Sequence, residues 1–403
     1  MMKTERLYYN DCYLREFDAA VLFAAPDGEH VKVYLNRTAF YPDSGGQPSD
    51  SGSLSGLAVL EIVDEGEAIA HVLERRPETD RVKGMIDWTR RFDHMQQHTG
   101  QHILSAAFEK AGGYKTVSFH LGSESSTIDL DSDRLGRRQL DEAEDAANRI
   151  IFENREVRIL FKSSEEANAL GLRKATAREG EVRLIEVSEF DLSACGGTHV
   201  SRTGAVGMIL VRKFERLKGL TRVEFVGGGR ALRSARADFA TLSDSARIFS
   251  GAPENLPALI SKQSEELRGA IRVREKLVKR LSEFEAKELW NASPAVNGRR
   301  VVRRIYAAGE TEEARALAHA LARQPATVAL IGVEGKPAML FFAQTPGGAA
   351  DMGSLLRQTL AQVGGKGGGS RDFAQGGGFD ESRLKEALDF ATSHLEQSAQ
   401  TKS

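Results

Sequence analysis

Two short segments constrain this chain more than anything else in it: His98-Thr99-Gly100-Gln101-His102 and, far downstream, Cys195-Gly196-Gly197-Thr198-His199. The first sits in a stretch where Ile103, Leu104, Ala107 and Phe108 repeat at helical spacing over 93–111. Residues i and i+4 of a helix lie one above the other, so both imidazoles reach one point in space. In the second, paired glycines allow a tight turn, so a thiolate and an imidazole converge without a helix. A fold that joins the pairs presents three imidazoles and one thiolate, a tetrahedral set suited to Zn2+. With only 2 cysteines and 9 histidines in the chain, a chance origin for both pairs is a poor explanation. Thr99 stands where a metalloprotease HExxH would place its Glu, which excludes that chemistry. His94, one turn earlier, is either a partner of the ligands or a solvated helix residue.

Composition bounds the rest. At about 150 residues per domain, 403 residues predict two to four domains. Hydrophobic content of 41% and charged content of 28% exclude a mostly disordered chain. Lys+Arg of 55 against Asp+Glu of 57 gives a net charge of -2. That excludes a strongly basic nucleic-acid binder but not a local basic face. Two cysteines cannot make a disulfide framework, Met1 to Arg6 opens no apolar leader, and no stretch approaches the ~20 apolar residues of a membrane span. The expectation is a cytoplasmic protein with no membrane partner.

The pattern along the chain predicts an α+β protein in four segments. Residues 1–88 read as a small N-terminal β-barrel, with strands over 19–24, 31–35, 58–63 and 68–73. Residues 89–235 mix helices with strands around the metal pairs, with Asp93 as the candidate cap of the first helix. Residues 236–295 form a coiled-coil-like helical arm in which Ile260, Leu267, Ala270, Leu277, Leu281 and Phe284 follow a 3-4 repeat. Residues 296–403 alternate strand and helix as a small C-terminal α/β domain containing a dense glycine tract over 364–378. No Gly-Lys-Ser/Thr follows that tract, so it is not a P-loop.

The two pairs resemble the HxxxH and CxxxH of the alanyl-tRNA synthetase editing domain. The loop Phe40-Tyr41-Pro42-Asp43-Ser44-Gly45-Gly46-Gln47 resembles that family's FY-x-x-SGGQ loop. The tract Gly367-Gly368-Gly369-Ser370-Arg371-Asp372-Phe373-Ala374-Gln375-Gly376-Gly377 resembles the glycine-rich C-terminal domain of the synthetase, of DHH-associated type. All three stand in family order, and no aminoacylation segment precedes them. The chain therefore resembles the free-standing alanyl-tRNA editing proteins of AlaX type, in long form.

The resemblance implies a zinc-dependent hydrolase that deacylates Ser-tRNA(Ala), and Gly-tRNA(Ala), in trans. It implies His98, His102, Cys195 and His199 as zinc ligands, and Gln47, His120 and Thr127 as catalytic candidates. Gln47 would approach the metal, His120 would polarise the ester or hold the terminal ribose, and Thr127 would meet the serine hydroxyl. Partners implied are the acceptor end and body of tRNA(Ala) and a second copy through the C-terminal half. Arg222 is a phosphate contact or a strand pair. Arg299, Arg300, Arg303 and Arg304, with Lys366 and Arg371, are a candidate basic face. A non-catalytic zinc-containing tRNA-binding protein, or a metal hydrolase of another ester, are the competing readings.

Overall fold

The computed structural model describes residues 3–174 and 180–400. Met1 and Met2, where the leader reading began, lie outside the described residues. Contacts divide the chain into two compact units, Met1–Asp244 and Ser245–Ser403. Among the described residues no helix is long and apolar enough to cross a membrane.

The first unit carries a seven-stranded sheet: β1 Glu16–Asp27, β2 His30–Leu35, β3 Gly52–Leu54, β4 Leu57–Val59, β5 Glu61–Asp64, β6 Ile69–Leu73 and β7 Arg81–Ile86. Their spatial order is β4-β3-β7-β1-β2-β6-β5. The outermost strands β4 and β5 are neighbours in sequence, and Leu60 between them donates its N–H to Val72. The sheet thereby curls into a near-barrel around Val33, Leu35, Phe40, Leu54, Ile69 and Leu73. The strand expected over 58–63 breaks at Leu60.

Helix α1, Trp88–Gly112, follows at once. Its cap is Asp87, which accepts the Arg90 N–H, and not Asp93, which instead pairs with Arg230. Gly113 ends the helix in a left-handed conformation at φ 73°. Next come β8 Thr116–Leu121, β9 Ser126–Leu130, α2 Arg137–Phe152, β10 Val157–Ser163, β11 Glu181–Val187, β12 Asp191–Ala194, β13 Ile209–Leu217 and β14 Leu220–Gly227. One antiparallel sheet has the order β8-β9-β14-β13, and another β10-β11-β12. The two helices and these sheets share a core that includes Met95, Leu104, Phe108, Ile128, Ile151 and Phe225.

Arg91 of α1 and Asp50 form an ion pair with both side chains fully buried. Arg91 Nε donates to Asp50 Oδ1 at 2.9 Å, and its terminal nitrogens donate to the carbonyls of Cys12 and Ala39. One guanidinium thus joins α1 to both ends of the loop between β2 and β3.

Helix α3, Gly228–Ile248, spans the boundary at Asp244, and α4 Leu256–Ala292 belongs to the second unit. The second unit continues with β15 Arg299–Tyr306, α5 Thr311–Ala322, β16 Thr327–Val333, β17 Ala338–Gln344, α6 Met352–Val363, β18 Lys366–Gly369, β19 Phe373–Phe379 and α7 Leu384–Gln400. After a short edge strand at Ala295–Val296, the sheet runs β15-β16-β17-β19-β18. β15 and β16 are parallel, and the remaining pairs antiparallel. Ala286 of α4 packs with Ala314, Leu317 and Leu321 of α5 on one face, and α6 and α7 cover the other.

The glycine tract is a β-hairpin, which nothing in its sequence pattern announces. A Cβ on Gly367 would stand 2.5 Å from the Cα of Gly376, and one on Gly376 would stand 2.5 Å from Leu360 Cδ1. Bare backbone at these two positions lets α6 lie directly on the hairpin. The four arginines of β15 do not form one basic face. Alternation along a strand sends Arg299 and Arg303 to Leu395 and Asp389, and Arg300 and Arg304 to Ser293 and Glu285. Arg222 takes the strand-pair alternative, bound to Asp129 at 2.7 Å. Ile260, Leu267, Leu277, Leu281 and Phe284 of the 3-4 stripe are all exposed on α4.

His71 of β6 is buried between Thr38 Oγ1 at 2.8 Å and the Val33 carbonyl at 3.1 Å. Burial pushes its pKa down from 6.5 to about 4, against the hydrogen bond to Val33. Between those values the unfolded chain binds a proton that the folded barrel refuses. Stability present above pH 6.5 is therefore lost as pH falls toward 4, by on the order of 3 kcal/mol. Urea titrations across that range should show this slope, and a His71→Gln variant should lack it. Arg91→Ala strands the Asp50 carboxylate in the core and should cost about 3–5 kcal/mol in the same measurement.

Candidate metal centre and cleft

The buried face of α1 sets the rings of His98 and His102 5.3 Å apart. β12 ends at Ala194 and delivers the turn that carries Cys195 and His199 against them. The four ligand atoms all lie within 4.8 Å of one another. Cys195 Sγ is 3.4 Å from His98 Nε2 and 3.3 Å from His199 Nε2. Tetrahedral Zn2+, with bonds of about 2.0–2.3 Å, spaces its ligands roughly 3.5 Å apart. The donor set therefore fits that ion in both kind and spacing.

Each imidazole is oriented through its other nitrogen. His98 Nδ1 is 2.8 Å from Gln47 Oε1, His199 Nδ1 is 3.2 Å from Thr99 Oγ1, and His102 Nδ1 is 3.3 Å from Asp191 Oδ2. Asp191 is itself fixed by Arg173 at 2.8 Å and Ser193 at 3.0 Å. Such outer partners set the tautomer and aim of a metal-binding histidine. Gln47 is fully buried and spends both ends of its amide here. Its oxygen also accepts the Thr198 N–H at 3.0 Å, and its nitrogen donates to Thr198 Oγ1 at 2.8 Å. Gln47 thus holds the two ligand segments together.

Gly197 has no alternative: a Cβ there would stand 2.2 Å from His98 Cε1 and 2.9 Å from Gln47 Oε1. Arg183 braces the same turn, donating to the carbonyls of Cys195 at 2.7 Å and Gly197 at 3.0 Å.

The electrostatics prepare the site for a cation. Burial opposes a charged Cys195, but His98, His199 and the hydrogen bonds from His102 and His199 outweigh it and drive the thiol well below its usual range. Burial drives His199 well below the usual imidazole value, leaving it neutral. For His102 burial again opposes charge, but Asp191 and Cys195 prevail and push it up to about 8. His94 does not join the four. Burial first, and Arg90 second, lower it to about 4.

His102 and Cys195 of the group line a cleft of about 680 Å³, together with Gly45, Gly46, Gln101 and Lys174 among others. Phe119 of β8 lines it too, its ring 5.7 Å from that of His98. Phe119 pairs in register with buried Ile128, so His120 pairs with Thr127 on the opposite sheet face. His120 is exposed there, and neither residue lines the cleft.

Sequence reasoning missed Asp191, Thr99, Arg183 and Gln101. Thr99 and Gln101 stand inside the HxxxH segment. A polar run on an otherwise apolar helix face was the signal available for them.

Gln47→Leu removes the acceptor of His98 and should weaken Zn2+ affinity about 10–100-fold in competition with a chromogenic chelator. Gln47→Glu, which keeps an oxygen at that position, should lose less. Gly197→Ala should purify with little bound metal by elemental analysis.

Comparison with known proteins follows the same division of the chain. Residues 182–224 match the threonyl and alanyl tRNA synthetase second additional domain, and residues 298–397 match the DHHA1 domain. The alanyl-tRNA editing protein AlaX-L of Pyrococcus horikoshii is 31% identical over 97% of this chain and 98% of its own length. The alanine–tRNA ligase of Pyrococcus abyssi is 32% identical over 96% of this chain, which spans 43% of that ligase. The C-Ala domain of Aquifex aeolicus alanyl-tRNA synthetase covers 24% of this chain at 25% identity, with a TM-score of 0.23. A match of 31% identity and nearly full length on both sides settles the family: this chain belongs to the alanyl-tRNA editing proteins, the aminoacyl-tRNA deacylases.

Proposed function

We propose that this protein edits mischarged tRNA(Ala) in trans, in the cytoplasm, hydrolysing chiefly Ser-tRNA(Ala) and secondarily Gly-tRNA(Ala). The observation that carries the reading is the convergence of His98, His102, Cys195 and His199, of which His102 and Cys195 line a cleft. Chemistry supplies the need. Rejection of a slightly larger isostere by binding alone stops near ~100-fold, and a pocket cannot exclude a smaller side chain at all. A second, hydrolytic site sorts what binding cannot.

Zn2+ held by these four residues would supply a Lewis acid if one ligand yields its position, or otherwise an anchor for the tRNA 3′ end, beside an ester that is already activated. The chain's own residues do the positioning. Gln47, Thr99 and Asp191 fix the imidazoles, and Arg183 fixes the turn. Exposed Lys174 at the cleft offers a cation to a phosphate of the tRNA 3′ end. The segments 1–88, 89–235, 236–295 and 296–403 are proposed as barrel, editing domain, helical arm and tRNA-binding C-terminal domain. The exposed stripe of α4 supports a homodimer through the C-terminal half.

Purified protein should release serine from Ser-tRNA(Ala) and leave Ala-tRNA(Ala) intact. Chelation should abolish release and added Zn2+ restore it. Tight tRNA binding without release would instead favour a non-catalytic zinc protein. For the dimer, Leu277→Glu with Leu281→Glu should halve the mass measured by light scattering. A monomeric wild type would refute it.

A further inference from the structure

Gln101 stands between the two histidines of α1 and lines the cleft. It is 2% exposed. Its Nε2 donates to Ser105 Oγ at 2.8 Å, one turn further along, and Ser105 Oγ is 2.8 Å from Thr116 Oγ1. That chain fixes the rotation of the carboxamide. The other end of the amide, Oε1, is buried and has no hydrogen-bond partner among the described residues. A buried carbonyl left unpaired is destabilising. Such a group calls for an explanation, and an unfilled ligand position is one. Three other described side-chain atoms share this state, His94 Nδ1, Ser126 Oγ and Glu313 Oε2, but their residues do not line the cleft. The other buried amide beside the ligands, Gln47, is engaged at both ends.

We propose that Gln101 Oε1 accepts a hydrogen bond from the side-chain hydroxyl of a seryl ester bound in this cleft. Gln101 would then be the residue that favours serine over alanine; the inference rests on the editing reading above. An acceptor requires a donor, and an aminoacyl ester brings two, the α-ammonium and, for serine, the hydroxyl. The ammonium is common to serine, glycine and alanine and sorts nothing. The hydroxyl is what separates the error from the correct product. With alanine a methyl group faces the oxygen, which stays dry and unpaired. A site that hydrogen-bonds a substrate hydroxyl discriminates in this way far better than one that measures size.

The test is kcat/KM for seryl-, glycyl- and alanyl-tRNA(Ala) in the full-length zinc-loaded protein and in Gln101→Met, which keeps the volume and removes the amide. Serine release should fall about tenfold or more, while the glycyl and alanyl rates stay within about twofold and zinc content is unchanged. A uniform fall for all three esters would assign Gln101 to the ammonium or to general integrity and overturn the proposal. No change would overturn it equally. If Gln101→Met loses its metal, Ser105→Ala leaves the amide in place but unanchored. A smaller, serine-selective loss then supports the proposal, and an unselective loss or none refutes it. A wild type that releases no serine removes the editing reading and this inference together. A wild type active on serine, with an unaltered variant, removes this inference alone.

Discussion

The site depends on a buried ion pair that does no chemistry. Arg91 lies on α1, two turns before the first metal ligand, and Asp50 lies at the end of the loop that carries Gln47. Asp50 also accepts the N–H of Tyr41 at the loop's other end, at 2.6 Å. The carboxylate thus pins both ends of the loop to one guanidinium. Desolvating two charges is expensive, and a buried pair is weak evidence of net stability. It is better understood as register. Any slip of the loop along α1 would strand both charges, so the loop has one position, and in that position Gln47 reaches His98 at 2.8 Å.

Position then passes outward to the ligands. Three imidazoles are each fixed at Nδ1 by a different element: the SGGQ loop for His98, β12 for His102 and α1 itself for His199. The ring nitrogens that remain face the Cys195 sulfur. The low pKa of Cys195 and the neutral state of His199 follow from that crowding and from burial. A thiolate and a neutral His199 meet a divalent ion without first expelling their protons, whereas His102, raised to about 8 against burial by Asp191 and Cys195, releases one on binding.

Local periodicity carried much of the fold into the sequence. The helical repeat of 103–108, the spacing of His98 and His102, and the strand–helix alternation after 296 all depend on neighbours within one turn or one strand. What was hidden is non-local or a matter of parity. Asp191 meets His102 across 89 residues, and no pattern within either segment points to the other. His120 was a candidate because its segment, 117–122, resembles the strand that lines the family's editing pocket. A shift of one residue along a strand exchanges faces, and only the contact of Phe119 with His98 decides which. The glycine hairpin gave no strand signal because it has almost no side chains to alternate. The arginines of β15 cluster in sequence but divide in space for the same period-two reason.

One helix face unites recognition with catalysis. His98, Gln101, His102 and Ser105 follow at intervals of three, one and three, so they form a continuous stripe along α1. The group proposed to read the amino acid and two of the groups proposed to hold the ion are therefore parts of a single rigid element. Their separation is set by helix geometry and not by a loop. The neutral whole, at a net charge of -2, fits this arrangement. General attraction for a polyanion would raise the affinity for correct and incorrect aminoacyl-tRNA alike, because their phosphates are identical. Discrimination has to come from the few atoms that differ, and a buried acceptor on the helix that carries the metal ligands is placed where those atoms arrive.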